Sequence, residues 1–198
     1  MSRAGRRRAA SEMTAEAMTS DERAEAVLGE LFSAEAANVY AVLDGASVPG
    51  LVPRLYDARP EFECLYRGEL EPDIAEVAPY LVRLDPDEEF ADWVVREDWG
   101  RHWGVFAASD EDLPGLCRHL RTLLTVYDPE GRPLLFRYYD PRVLRLYLPT
   151  CNQQELQTVF GPVVSYLLED EDPKNLLRFQ FMGGTLRQER HALEEEEG

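Results

Sequence analysis

Short apolar runs alternate along this chain with segments of helical periodicity, and this alternation restricts the folds that the chain can adopt. Residues 38–46, NVYAVLDGA, form a nearly continuous apolar run closed by Asp-Gly, which is typical of a buried strand. Residues 19–32 repeat apolar side chains at helical spacing behind a capping-box pair, Thr19 and Glu22. Both patterns recur downstream. We therefore predict an α/β or α+β fold, a single compact domain with a mixed β-sheet flanked by helices and a C-terminal helix and strand extension.

The two ends of the chain lack a core-forming pattern. Residues 1–18 consist largely of alanine, serine, arginine and glutamate, and we expect a disordered tail there. Residues 187–198 are dominated by charge, and we expect a second tail. Residues 19–186 then form the folded domain.

A hairpin is predicted in the second half of the chain, between two helices whose N-caps the sequence indicates. Ser109 is the expected N-cap of one helix, and Thr150 is the expected N-cap of another. Between them, residues 128–131 carry aspartate, proline and glycine at positions that a type I turn prefers, so the flanking apolar segments should pair as a β-hairpin.

The net charge of the chain limits the classes of partner that it can bind. The formal net charge is −17, which disfavours nucleic acid and anionic membrane surfaces because both present phosphate. Basic or apolar protein surfaces suit such a chain better. No segment approaches the ~20 consecutive apolar residues of a membrane-spanning helix.

The three cysteines are Cys64, Cys117 and Cys151, and they lack the spacing of a zinc site or the even number of a disulfide framework. We expect free thiols, with Cys64 and Cys117 buried on apolar faces. Free thiols are typical of a reducing compartment, so a cytoplasmic location is predicted. No motif for a metal or another cofactor occurs, and we expect none.

A search for catalytic motifs yields one isolated acid. The chain contains no GxSxG, phosphate-binding loop, GxGxxG or HExxH pattern. Asp44 follows a predicted strand, the position where α/β enzymes often place a functional acid. The alternative is that Asp44 caps a turn at the end of that strand.

Residues 134–149, LLFRYYDPRVLRLYLP, place charge inside an apolar stretch. If residues 134–139 form a strand, Arg137 lies between apolar neighbours and should be mostly buried. A buried guanidinium requires a carboxylate, for which Asp140 is the nearest candidate and Asp44 a more distant one. Asp140 and Pro141 also resemble the N-cap and first residue of a short helix. The cluster is either a structural clasp or part of a functional site.

The segments VYAVLDGA, VAPYLVRL, HWGVFAAS, LCRHLRTLLTV and above all LLFRYYDPRVL resemble, in order and rough spacing, the type VI secretion effector chaperone–adaptor domain. That domain was long described only as conserved and of unknown function. The resemblance covers residues 38–161. It implies a cytoplasmic bacterial protein without catalysis, which binds a toxic effector and helps load it onto a VgrG-type spike. The motif residues that it assigns are Asp44, Gly45, Pro79, Tyr80, Arg137, Tyr139, Asp140, Pro141 and Arg142.

Two other functions remain open from the residues alone. One is a small α/β enzyme that uses Asp44, with the region of Arg137 as an anion site. The other is an immunity-type partner that neutralises a toxin. Under the adaptor hypothesis the first helix and the segment after residue 161 select the effector. The large apolar side chains of that segment either anchor the effector or form ordinary strand core. These side chains are Leu176, Leu177, Phe179 and Phe181.

Overall fold

A computed structural model describes residues 19–33 and 36–193, apart from the side chain of Asp98. The α-helices of this part are α1 (Ser20–Phe32), α2 (Leu51–Ala58), α3 (Pro72–Val77), α4 (Glu89–Asp98), α5 (Leu113–Leu123), α6 (Pro141–Tyr147) and α7 (Gln153–Phe160). The strands are β1 (Asn38–Asp44), β2 (Phe62–Cys64), β3 (Pro79–Leu84), β4 (Gly104–Ser109), β5 (Thr125–Tyr127), β6 (Pro133–Leu135), β7 (Val163–Glu169), β8 (Asn175–Met182) and β9 (Thr185–Ala192). None of the described helices has the length and apolar character needed to cross a bilayer.

One seven-stranded sheet, in the order β2-β3-β1-β4-β7-β8-β9, organises the domain. Every pairing between its neighbouring strands is antiparallel. Strands β5 and β6 form a separate two-stranded sheet, as the hairpin prediction expected. The chain is a single α+β domain, which confirms the predicted class. The sheet is not mixed, because all of its neighbouring strands are antiparallel.

Helices cover both faces of β1, and this explains its continuous apolar sequence. Tyr40 and Val42 lie in a core formed with side chains of α5, α6 and α7. Ala41 and Leu43 point the other way, into a core formed with α1, α2 and α4. A strand buried on both faces shows no alternation between apolar and polar residues.

The C-terminal segment completes the sheet. Residues 187–192, which we expected in a charged tail, belong to the edge strand β9 and pair with β8. Because an edge strand exposes many of its side chains, its sequence can be as charged as that of a tail. The charge of residues 187–192 therefore did not indicate a strand. The tail predicted at residues 1–18 and residues 194–198 lie outside the described residues.

The burial of β8 decides between the two interpretations of its large apolar side chains, which were partner anchors or strand core. Leu176, Leu177 and Phe179 are buried in the two cores, so they are strand core and are closed to a partner. Phe181 is partly buried and packs against Phe160, with ring centroids 6.0 Å apart.

Both predicted N-caps are displaced. Asp112 caps α5, where its carboxylate accepts from the Gly115 N–H at 2.8 Å, whereas Ser109 is the last residue of β4. Asn152 caps α7 through a capping box with Glu155, whereas Thr150 lies in a 3-10 turn. Each expected cap precedes the real one in sequence. In each case the preceding element extends through the expected cap.

Candidate functional site

Asp44 lies buried at the end of β1 and accepts from three neighbours. Its Oδ2 accepts from Arg137 Nη2 at 2.5 Å and from the Ser47 hydroxyl at 2.7 Å. Its Oδ1 accepts from the Ala46 N–H at 3.2 Å. The aspartate therefore closes a turn, as one of the two interpretations expected, and also anchors a distant arginine.

Gly45 joins this turn to the start of β3. Its N–H donates to the Ala78 carbonyl at 3.0 Å. A Cβ at Gly45 would lie 2.5 Å from the Ala78 carbonyl oxygen and 2.6 Å from that of Glu76. Two backbone atoms at that distance exclude any side chain. A glycine is required here by close approach of the backbone.

Pro79 and Tyr80 lie on the other side of this contact. Pro79 is buried, and its carbonyl accepts from the Leu65 N–H at 2.8 Å. The Tyr80 hydroxyl donates to the Ala75 carbonyl at 2.8 Å. Both residues fix the junction of α3 and β3 against Asp44.

Arg137 is exposed, which contradicts the prediction that it is mostly buried. Strand β6 ends at Leu135, and the chain then turns, with the Asp140 N–H donating to the Arg137 carbonyl at 3.0 Å. The alternation expected over residues 134–139 therefore stops. The Arg137 side chain is 43% exposed, and it pairs with Asp44, the candidate more distant in sequence. Its guanidinium carbon lies 5.9 Å from the Tyr139 ring centroid.

Asp140 forms a second ion pair and caps a helix at once. Its carboxylate accepts from the Arg142 N–H at 3.0 Å and from Arg142 Nε and Nη2 at 3.0 and 2.7 Å. Burial raises the pKa of Asp140, but the hydrogen bonds from Arg142 and the charges of Arg142 and Arg137 together bring it below its ordinary value. Pro141 occupies the first turn of α6, as predicted, and it is buried.

We call Asp44, Arg137, Asp140 and Arg142 the arginine corner. Each carboxylate of the corner is buried, and each guanidinium reaches solvent. Tyr139 is buried beside it, and its pKa lies above its ordinary value because of burial, with Tyr66 and the negative charge of Asp44 adding to the effect. Chemically, the corner is a clasp that presents two arginine side chains at the surface.

His102 and Glu169 form a neighbouring pair that the sequence did not indicate as such. His102 Nδ1 contacts Glu169 Oε1, and Glu169 Oε2 accepts from the Gly100 N–H at 2.6 Å. Burial and then the charges of Arg142 and Arg145 lower the pKa of His102. The two residues are 67 positions apart, and nothing local in either segment signals the contact.

Cysteines, histidines and acidic side chains are the remaining groups that could react or hold a metal ion. All three cysteines are free; Cys117 is buried as expected, whereas Cys64 is only partly buried. Burial is the main reason that the pKa of Cys117 rises to about 12. Among the described residues, no group of histidine, cysteine and acidic side chains is arranged to hold a metal ion.

Sequence reasoning also missed an exposed apolar surface. All residues of β5 and β6 are exposed, including Val126, Tyr127, Leu134 and Leu135. We call this β5–β6 unit the apolar hairpin. Adjacent apolar residues in both strands indicate burial on both faces, and in this structure neither face is covered.

The family model described as "Domain of unknown function (DUF4123)" matches residues 39–158. This chain belongs to that family. The DUF4123 match runs from β1 into α7 and includes the arginine corner and the apolar hairpin, whereas β7, β8 and β9 follow it. No curated protein and no solved structure matches the chain.

Proposed function

We propose that this chain is a non-catalytic adaptor–chaperone that binds one type VI secretion effector and helps load it onto a VgrG-type spike. In this proposal it acts in the bacterial cytoplasm, before secretion. The partners are therefore two proteins, and neither a cofactor nor a nucleic acid takes part.

One observation carries the proposal. The motif residues of the resemblance come from segments around positions 44, 79 and 139, and they meet at one corner inside the region that the family model matches. Segments that are distant in the sequence therefore form one structural unit. The family description names no function, so the adaptor role rests on the motif resemblance together with this convergence.

The chemistry of the corner favours binding over catalysis. Asp44 would be the acid of an enzyme at this site, but its side chain is only 3% exposed and already accepts from Arg137, Ser47 and Ala46. A general base needs a free lone pair directed at a substrate. Arg137 and Arg142 keep unused N–H groups at the surface, which suit contact with a partner's carboxylates or carbonyls.

Co-purification tests the proposal. The full chain, carrying a tag, is co-expressed with the effector and with the spike protein of the same gene cluster, separately and together. We expect the chain to retain the effector by itself and to retain both proteins when both are present. Retention of neither protein contradicts the proposal.

A toxicity assay separates the adaptor from an immunity partner. Co-expression with the active effector in the compartment where the effector is toxic should leave the toxicity unchanged if the chain is an adaptor. Full protection, together with failure to bind the spike, would instead assign an immunity function.

A further inference from the structure

Hydrogen bonds brace both ends of the apolar hairpin, although the residues of its two strands are exposed. Asp128 Oδ1 accepts from the N–H groups of Glu130 and Arg132 at 3.0 and 2.8 Å, and its Oδ2 accepts from Arg132 Nε at 2.6 Å. At the base, the Phe136 N–H donates to the Leu124 carbonyl at 2.8 Å. A two-stranded hairpin is otherwise only marginally stable in water. These bonds support the turn and the base of the hairpin.

The exposed side chains divide between the two faces of the hairpin. Thr125 pairs with Leu135 and Tyr127 with Pro133, and residues that pair directly share a face. Tyr127 is 70% and Leu135 is 54% exposed. Contiguous exposed apolar surface of this kind marks interaction sites in soluble proteins.

A groove of about 550 Å³ runs between this face and the segment after β2. Leucines line its apolar part, and its charged residues are both arginines. Its lining includes Leu65, Leu70, Leu124, Leu135, Arg67 and Arg121. We call this feature the leucine–arginine groove.

The arginines give the groove a charge opposite to that of the whole chain. Arg121 is partly neutralised by Glu63 at 3.3 Å and donates to the Cys64 carbonyl at 2.7 Å. Arg67 is exposed and has no hydrogen bond or ion pair with any other residue in the described ranges 19–33 and 36–193. On a chain of net charge −17, the groove is a local basic site beside apolar surface.

A second groove lies against the hairpin and has no arginine or lysine among the described residues of its lining. It has a volume of about 380 Å³, and its single charged lining residue is Glu155. That carboxylate accepts from the Asn152 N–H at 2.7 Å in the cap of α7. The second groove therefore offers no cation to a partner's carboxylate, whereas the leucine–arginine groove does.

We propose that the leucine–arginine groove binds a segment of the partner protein in which a large apolar side chain stands next to a carboxylate. The apolar side chain packs on Leu135, Leu124 and Leu70, and the carboxylate pairs with Arg67. The inference rests on the proposed function only where it names the effector as the source of this segment.

A displayed library of short random peptides tests the groove without any assumption about function. The library is selected on the wild-type full chain and counter-selected on Leu135→Asp. We expect the enriched peptides to combine aspartate or glutamate with leucine, phenylalanine or tryptophan. Their affinity should fall about tenfold or more in Leu135→Asp and in Arg67→Glu, because both changes act at the centre of the contact.

Matched variants control for general effects of the same substitutions. Leu146 is a 72% exposed leucine on α6, and Arg118 is an exposed arginine on α5, and neither lines the groove. Leu146→Asp and Arg118→Glu should leave peptide affinity within about twofold, and thermal unfolding verifies that all four variants fold. Arg67→Glu removes no internal contact, so it tests the groove even if Leu135→Asp unfolds.

Three results would overturn the proposal. Enriched peptides that are basic would contradict the charge argument. Unchanged affinity in Arg67→Glu, or equal losses in the control variants, would place the peptide elsewhere.

Pull-downs with the full-length effector and spike connect the groove to the proposed function. We expect Arg67→Glu to lose the effector and to retain the spike. Retention of the effector, or loss of the spike alone, would contradict the assignment of this groove to the effector. A wild-type chain that retains neither protein contradicts the proposed function, whereas the peptide measurement still decides the groove.

Discussion

At the scale of single residues, the arginine corner combines buried aspartates with arginines that reach the surface. Each aspartate is fixed in the interior, and each arginine spans from that carboxylate to solvent. The sequence predicted that Arg137 needs a carboxylate, since its neighbours are apolar. It could not predict which one, because Asp140 is taken by Arg142 and the partner Asp44 lies 93 positions away.

Replacement of Arg137 by alanine should destabilise the domain by about 2 kcal/mol, because the buried Asp44 carboxylate loses a charged partner. The exposure of the arginine and the remaining bonds from Ser47 and Ala46 keep the loss below that of a fully buried pair. Urea denaturation measures the change, and Arg118→Ala is the control. A loss below about 0.5 kcal/mol would show that the pair contributes only what surface ion pairs do.

Gly45→Ala should destabilise the domain by more than about 2 kcal/mol, since the new methyl group would meet two backbone carbonyl oxygens that have little room to move. Gly29 gives a matched control because it is exposed in α1 and a Cβ there meets nothing within 4 Å. Gly29→Ala should therefore stabilise by about 0.5–1 kcal/mol through helix propensity. Equal effects of the two substitutions in chemical denaturation would refute the close-approach argument.

The Asp140–Arg142 pair should make stability depend on pH in the acid range. The pKa of Asp140 is lowered in the folded chain, so its contribution is present above the unfolded value of about 3.9 and is lost as pH falls through the folded value. Asp140→Asn keeps an acceptor for the helix cap and removes the charge. The stability difference between wild type and this variant should be largest at neutral pH and should shrink below about pH 4. A difference that does not vary with pH would assign the role of Asp140 to capping alone.

At the scale of elements, local sequence signals predicted the structure where no second signal of the same kind lay nearby. The capping box of Thr19 and Glu22 begins α1 as expected, and the apolar run around Ala41 is β1. The N-cap predictions were wrong where two suitable cap residues lie within a few positions of each other. Ser109 is paired with Val163 in the sheet, so tertiary pairing rather than local preference decides where α5 begins.

The cap of α7 allows a direct comparison of the two competing residues. Asn152→Ala should cost about 1 kcal/mol, since it removes the acceptor for the Glu155 N–H at 3.0 Å. Thr150→Ala should cost less, because the Thr150 hydroxyl only donates to the Tyr147 carbonyl of the preceding turn. Thermal unfolding of both variants ranks them, and the reverse order would restore Thr150 as the cap.

At the scale of the whole molecule, the strand order is the part that the sequence could not indicate. β1 pairs with β3 and β4, and β4 pairs with β7, so neighbours in the sheet are distant in the chain. The family match ends in α7, yet β7 continues the same sheet and β8 carries core residues. The segment after residue 161 therefore belongs to the fold, and only its exposed side chains, not Leu176, Leu177 and Phe179, are open to a partner.

Truncation of the chain tests how far the folded unit extends. A chain that ends at Gly184 lacks β9, which leaves the long strand β8 with an open edge and removes the bond from the Leu193 N–H to the Lys174 carbonyl. Open edges promote association between chains. We expect the melting temperature to fall by at least about 6 °C, which corresponds to about 2–3 kcal/mol in a domain of this size, and light scattering to rise. A chain that ends at Leu193 keeps β9 and should melt like the full chain. If the shorter chain also melts like the full chain and scatters no more light, β9 is dispensable and the folded domain ends near residue 184.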